Sequence, residues 1–467
     1  MQAGRPYSLL LIVTGTAFLL TTFESSAVVT VLPAISRSLH IGPSAAQWPV
    51  SVYLIGITAL LPHAGELGDF YGYRKLFLAG LFLALTGTAF CAASTSPIQL
   101  CTSRIIEAAG IVLTSANGTA LVVKHSPVLS RSYHLGLLST AAYTGLVGGT
   151  VLSGWLTSYF GWHSIFVVVS TGFGLLLLLA AACLPADEHF KTTNSPNVGG
   201  SIVLLLSLAG METALDHAHG DWHLIGNWGP LLASFLLFAA AISRRPFAPL
   251  RSLFNIQVTI ASLAALLIYT CLYSIILLLP FYLLENRLTP LASMGLLLAF
   301  RPVLTAVTAP FGGRLADRFG QDRLMLLGLT CLFAAFLAGT MIRTGWHGLL
   351  APLALSGLGM GLFLPANHSL ILGQAMIGIR SRAAAVVALT RNFGMFFGVS
   401  LGAYFLTHSG LSAAAGSKTP VIHGLFYLGT VIIGVSLLMV AFSDLIVAKT
   451  AGHLRRRRGK IRADRFL

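Results

Sequence analysis

The chain of 467 residues is 55% hydrophobic and only 9% charged, with a formal charge of +15 and a mean hydropathy of +0.83. A water-soluble protein carries roughly 25% charged residues, and no soluble fold of this size has the interior to hide so much apolar surface. The composition therefore excludes a soluble enzyme or nucleic-acid-binding domain and requires a lipid-facing exterior.

Apolar stretches long enough for a bilayer core of about 30 Å recur along the whole chain. Fourteen spans are predicted, at residues 8–33, 46–64, 76–94, 99–122, 138–158, 164–184, 198–215, 224–243, 257–284, 291–312, 323–342, 348–372, 382–407 and 421–445. The expected fold is an all-α polytopic membrane protein. The first span follows Arg5 as a secretory leader would, but it is long, carries Glu24 and leads into thirteen more, so it reads as a retained helix. The 48 glycines sit largely inside the spans, where close helix packing in lipid favours them.

With the N-terminus in the cytoplasm, the 29 Lys and Arg sort unevenly. Arg37, Arg287, Arg343 and Lys418 fall in outer loops, Arg104, Arg301 and Arg391 fall inside spans, and the remaining 22 are cytoplasmic. This asymmetry predicts both termini in the cytoplasm and an even number of spans. The Arg455–Arg458 run suits a tail lying on anionic lipid rather than a nucleic-acid site. Cys91, Cys101, Cys183, Cys271 and Cys331 are scattered without a CxxC pair, so neither a disulfide framework nor a zinc site is indicated. Asn117 and Asn367 match a glycosylation pattern, but both fall within spans or at their cytoplasmic ends.

One segment repeats. Gly65-Glu-Leu-Gly-Asp69-Phe-Tyr-Gly72-Tyr-Arg74-Lys75-Leu76 returns as Gly313-Arg-Leu-Ala-Asp317-Arg318-Phe-Gly320-Gln-Asp-Arg323-Leu324, each copy reading as a cytoplasmic loop after an even-numbered span. The offset exceeds what six helices need and leaves room for two more. The predicted division is a six-helix bundle at 1–184, a two-helix insert at 185–255, a second bundle at 256–448 and a basic tail at 449–467. Paired six-helix halves are the architecture of alternating-access transporters.

The repeated loop resembles the signature loop of the major facilitator superfamily, and the fourteen spans resemble its drug:proton antiporter branch. Glu24-Ser-Ser26 with Pro33 resembles the first-helix pattern of that branch, and Gln47-Trp48 through Leu61-Pro62 its second helix. Arg104-Ile-Ile-Glu107-Ala-Ala-Gly110 resembles its fourth-helix pattern. Gly145-Leu-Val-Gly-Gly149-Thr150-Val-Leu-Ser153-Gly154 resembles its fifth-helix antiporter motif, and Arg391-Asn-Phe-Gly394 its R-x-x-G element. The chain departs where Glu24 replaces Asp, Glu107 stands where Gln is common, Ala108 replaces Gly and Thr150 replaces the motif Pro. The resemblance implies proton-coupled efflux of small amphipathic drugs or toxic metabolites through a bacterial inner membrane.

Ionisable groups at membrane depth cost ~2.5–3.5 kcal/mol or more each and so point to function. Glu24, Arg104, Glu107, Glu212, Arg301 and Arg391 qualify. A carboxylate in a low-dielectric cavity can load and release protons near neutral pH, which suits Glu24 for proton coupling; the alternative is a pore-facing acid that only pairs with an Arg. Arg104 and Glu107 share one helix face, as a proton relay or as a neutralised pair. Arg391 is expected to bind substrate or to hold a conformation through Glu24 or a backbone carbonyl. Arg301, followed by Pro302, would select an anionic or zwitterionic substrate or serve as a counter-ion. Asp69, with Gly65, Gly72 and Arg74, is expected to latch onto the N-terminal end of the thirteenth span, whose dipole favours an anion. The second copy offers Gly313, Asp317, Arg318 and Gly320.

Gly145, Gly149, Thr150 and Gly154 read as small-residue packing or as an antiport element. Asp216, His217, His219, Asp221 and His223 are metal-ligand types, but nothing there sets a coordination geometry. No phosphate-cradling loop or nucleophile constellation appears, so the expected partners are a small-molecule substrate, protons and lipid, with no cofactor, no metal and no need of a second copy. The alternatives are a uniporter or importer of a specific metabolite, with an anion among the candidates, and a non-transporting membrane receptor or lipid-handling protein.

Overall fold

The computed structural model describes residues 5–42, 45–127, 131–184, 198–217, 232–234, 236–237, 256–285, 290–342, 346–373, 380–408 and 422–442. Its long elements are α1 (Arg5–Ser38), α2 (Trp48–Tyr71), α3 (Tyr73–Ala92), α4 (Pro97–His125), α5 (Arg131–Phe160), α6 (His163–Cys183), α7 (Val198–His217), α8 (Ile256–Glu285), α9 (Leu291–Phe319), α10 (Gln321–Thr340), α11 (Leu350–Gly373), α12 (Arg380–His408) and α13 (Ile422–Phe442). Among the described residues, twelve helices are long and apolar enough to cross a membrane. In α7 the described apolar stretch is Ile202–Thr213, short of the roughly 20 residues a span needs. The predicted span at 224–243 lies almost wholly outside the described residues, as do the 449–467 tail and the His/Asp loop at 218–223.

The helices turn their apolar side chains outward as well as inward. The apolar stretch of α6 has a mean hydropathy of 2.5, yet only 33% of it is buried. Leu175, Leu178 and Leu438 are each about two-thirds exposed or more (65%, 71% and 69%). Such a surface is stable only with lipid as its solvent.

Two groups of helices repeat one packing pattern. In the first group α1 packs on α5, α3 on α4 and α2 on α4; in the second α8 packs on α12, α10 on α11 and α9 on α11. Small residues set the closest crossings. A Cβ on Gly80 would lie 2.6 Å from the Thr114 backbone nitrogen, and one on Gly328 would lie 2.7 Å from that of Phe363. These two glycines occupy matching places in α3 and α10, at the offset that separates the two loop copies.

The structure corrects the reading of that repeated segment as a loop. Residues 65–71 form the last two turns of α2, and α3 begins at Tyr73, so a single residue, Gly72, separates the helices. The second copy does the same, with Gly320 alone between α9 and α10. Hydropathy stops at the membrane boundary, but helical hydrogen bonding continues past it: Gly72 N–H donates to Gly68 O, and Leu76 N–H donates back to Gly72 O. Gly72 and Gly320 have φ of 102° and 95° with ψ of 136° and 145°, a region closed to residues with a Cβ. Among the described residues nothing stands within 4 Å of where a Cβ on Gly65 would lie; Gly68 is the crowded position, against Asn117 and Tyr73.

Gly72→Ala or Gly320→Ala should therefore destabilise the protein by about 1–3 kcal/mol, seen as a lower midpoint of thermal unfolding in detergent. Gly65→Ala, on an open helical face, should be neutral or slightly stabilising. Equal effects at all three positions would contradict the corner assignment.

Candidate functional site

Three of the six membrane-depth charges meet inside the first helix group. Arg104 Nη1 donates to Glu107 Oε2 at 2.8 Å and to Glu24 Oε1, and its Nε donates to Pro49 O at 3.2 Å. Its guanidinium lies 4.0 Å from the centroid of the Tyr53 ring. Arg104 is 1% exposed and both carboxylates are 0% exposed. Cys91 Sγ faces Glu107 Oε2 at 3.7 Å. Gly87 makes room for this arrangement: a Cβ there would lie 2.5 Å from the Glu107 backbone nitrogen. Glu24 thus faces inward onto Arg104 rather than into a pore, and it is not the partner of Arg391. Among the described residues no donor reaches Glu24 Oε2 or Glu107 Oε1, so the two acids share one base.

The next residue of α1 faces the other way. Ser25, Ser26, Val29 and Thr30 line a cavity of about 90 Å³ (the space open to the centre of a water molecule) between the two helix groups. Thr150 of α5 and Tyr273, Arg301 and Ser356 from the second group also line it. Arg391, near the middle of α12, is exposed. It nonetheless lies within electrostatic range of Tyr143 on α5, Tyr269 and Tyr273 on α8, and His368 on α11. These partners lie on three other helices, in both groups; of the two arginines, Arg301 lines the cavity itself.

Residues 14–300 and 261–463 match the model of the Major Facilitator Superfamily. The chain belongs to this superfamily. It is a multi-pass membrane transporter of small molecules, not an enzyme. It is 24% identical over 409 residues to the riboflavin transporter RibZ of Clostridioides difficile strain 630, covering 86% of this chain and 88% of that protein. It is 26% identical over 415 residues to the multidrug resistance protein Stp of Mycobacterium tuberculosis strain CDC 1551 / Oshkosh, covering 85% and 75%. A bacterial homologue of the human drug peptide transporters PepT1 and PepT2 shares the fold, with a TM-score of 0.65 at 16% identity over 95% of this chain and 99% of that one.

Within this superfamily fold the remaining predicted residues separate. Glu212 on α7 is buried and accepts hydrogen bonds from Ser51 Oγ of α2, at 2.8 Å, and from Ser400 Oγ of α12. It thereby touches both helix groups. Gly145 and Gly149 pack against α1: a Cβ on either would stand about 2 Å from a backbone oxygen (2.1 Å from Leu19 O, 2.0 Å from Phe23 O). Thr22 and Ser26 hydroxyls donate across the same crossing to Ala142 O and Leu146 O, and Gly154 is buried on the same helix. Thr150, where the resemblance expects Pro, forms cavity wall, and its carbonyl lies 2.4 Å from where a Cβ on Gly295 of α9 would stand. Asp69 is exposed and accepts a hydrogen bond from Tyr73 Oη; the first side chains of α12, its expected docking point, lie outside the described residues. Arg74 Nη2 donates to Ala181 O at 2.9 Å, tying α3 to the C-terminal end of α6 within one group, where a cation suits the helix dipole. Asp317 and Arg318 are exposed at the second corner, Arg318 beside Phe319, and Gly313 has only ordinary contact with Pro365.

Sequence reasoning did not find Tyr53, Cys91, Ser51, Ser400 or the three tyrosines around Arg391. The spacing of Tyr269 and Tyr273, one helical turn apart on an otherwise apolar helix, was the available signal.

Arg104→Gln should strand two buried carboxylates and cost about 3–5 kcal/mol, measured as loss of unfolding resistance in detergent. Adding Glu107→Gln should restore part of that loss. A single variant as stable as the parent would show the trio to be wet and weakly coupled.

Proposed function

We propose that this transporter exports small amphipathic drugs or toxic metabolites across a bacterial inner membrane, in exchange for protons, by alternating access. The observation that carries the reading is the trio of Glu24, Arg104 and Glu107. With two acids and one base, a single proton completes its charge balance; without it a net negative charge stands buried, which is costly. Glu24 and Ser25 are neighbours on α1, one facing the trio and one facing the cavity, and Tyr53 touches both sides through Arg104 and Ser25. A proton arriving or leaving would therefore shift α1 against the cavity wall. That a relative is named for multidrug resistance supports the substrate range.

The reading includes a first bundle at 1–184, an insert of two helices at 185–255, a second bundle at 256–448, a basic tail at 449–467, and both termini in the cytoplasm. Support for the insert comes from α7, whose Leu204 and Leu208 pack with Ile55 and Ala59 of α2 and with Leu389, Phe393 and Phe396 of α12. A second reading, uniport or import of one anionic metabolite, is favoured by Arg301 and Arg391, which have no carboxylate ion-pair partner among the described residues.

Proteoliposomes containing a pH-sensitive dye decide between them. Addition of a transported fluorophore, with fluorescein and ethidium as anionic and cationic probes, should drive proton flow opposite to the fluorophore. Glu24→Gln and Glu107→Gln should reduce that flow at least tenfold. Transport without proton movement in the parent protein would sink the coupling and leave the second reading.

Glu212 is proposed to clasp the groups in the state closed at the face opposite the Gly72 and Gly320 corners. Ala46, buried in the turn before α2 that packs on α12, reports on that face. In a background without other cysteines, Glu212→Ala should raise the labelling rate of Ala46→Cys by an impermeant maleimide several-fold. An unchanged rate would remove the clasp.

A further inference from the structure

We propose that the central cavity, whose wall holds Arg301 and Tyr273, is built for a flat aromatic anion, with Arg391, Tyr143 and Tyr269 beside that wall completing the site. This names the substrate class of the transport cavity and so rests on the transport reading, though binding can be measured without transport.

The five side chains come from four helices and both groups: Tyr143 from α5, Tyr269 and Tyr273 from α8, Arg301 from α9 and Arg391 from α12. Both arginines act electrostatically on all three tyrosines. The Tyr269 and Tyr273 rings are 6.5 Å apart and inclined by 49°, so they present two differently tilted faces. Glycines bring α12 onto this face of α8. A Cβ on Gly394 would stand 2.6 Å from Tyr269 Cβ, and one on Gly398 would stand 2.7 Å from Tyr273 Cβ. Without them Arg391 would be held back from the tyrosines.

The charge balance then selects the ligand. Among the described residues no Asp or Glu lines the cavity. The buried acids are engaged elsewhere: Glu24 and Glu107 on Arg104, Glu212 on Ser51 and Ser400. Among the described residues neither Arg301 nor Arg391 has a carboxylate ion-pair partner. Two guanidinium groups at membrane depth without a counter-ion are expensive, and an anionic ligand supplies it. The planar fork of a guanidinium matches a carboxylate or phosphate in two parallel hydrogen bonds. The rest of the wall is largely apolar, including Leu272, Leu298, Phe336 and Phe426, and suits the ring. A lipophilic cation would meet two like charges and no acid, a repulsion that excludes wrong ligands as effectively as attraction selects right ones.

The test uses the full-length protein in lipid nanodiscs, at low salt, with four probes of one shape: 2-naphthoate, 2-naphthyl phosphate, neutral 2-naphthamide and cationic 2-naphthylmethylammonium. Calorimetric titration should show at least one of the two anions binding at least tenfold more tightly than the amide, and the cation binding more weakly than the amide. Carboxylate above phosphate, or the reverse, distinguishes the two sources of negative charge. Arg301→Gln and Arg391→Gln should each weaken the preferred anion at least tenfold and leave the amide within twofold, with Arg391→Lys intermediate. Since each Gln variant removes an unpaired charge, its unliganded thermal midpoint should equal or exceed that of the parent, which separates lost binding from lost folding. Equal affinity for anion and amide, tighter binding of the cation, or arginine variants that bind the anion like the parent would each overturn the proposal. Anion binding without proton movement would instead leave the site standing and remove the coupling.

Discussion

Lipid offers no hydration to a charged group, so every ionisable side chain in the bundle must find its counterpart inside the protein or in what the protein carries. The rest of the structure follows from how the six membrane-depth charges meet that demand. Three of them close on one another in the first helix group, as Glu24, Arg104 and Glu107. Glu212 is met by two hydroxyls from different groups. Arg301 lines the cavity between the groups, and neither it nor Arg391 has a carboxylate ion-pair partner among the described residues. The apolar packing around them, dense with small residues, lets the helices approach closely enough for these contacts to form.

The two groups share a packing pattern but not a chemistry. Matching glycines set matching crossings in α3 and α10, and matching glycines end α2 and α9. Of the membrane-depth acids, Glu24 and Glu107 belong to the first group and Glu212 to α7, while Arg301 and Arg391, without a carboxylate partner among the described residues, belong to the second group. Under the proposed exchange, the proton site would stand in one group and the cationic wall in the other, and α1, which bears Glu24 and Ser25 side by side, would link them.

Much of this was legible in the sequence. Twelve of the predicted spans correspond to helices long enough to cross a bilayer, because lipid demands an unbroken apolar run that hydropathy reads directly. The list of membrane-depth charges was legible for the same reason: each is conspicuous against an apolar background. Which charges would meet was not. Arg104 and Glu107 share a face by helical spacing, but Glu24 joins them through the packing of α1 on α4, which no local pattern encodes. Arg391 was open to pairing with Glu24 on charge alone; geometry gives Glu24 to Arg104. The tyrosines escaped notice because a Tyr in an apolar helix looks like any other large side chain until the arginines around it are placed. The repeated segment was read as a loop because polarity marks the edge of the membrane, whereas only hydrogen bonding marks the end of a helix.

The single-residue corner at Gly72 leaves no spare chain between α2 and α3. An ordinary connecting loop can stretch or coil to absorb a tilt of one helix against its neighbour; a lone glycine cannot. The two helices must tilt as one piece, as must α9 and α10 about Gly320. Both corners are therefore places where added length, rather than altered chemistry, would be least forgiven, because one extra residue would rotate everything downstream by roughly 100° about the helix axis.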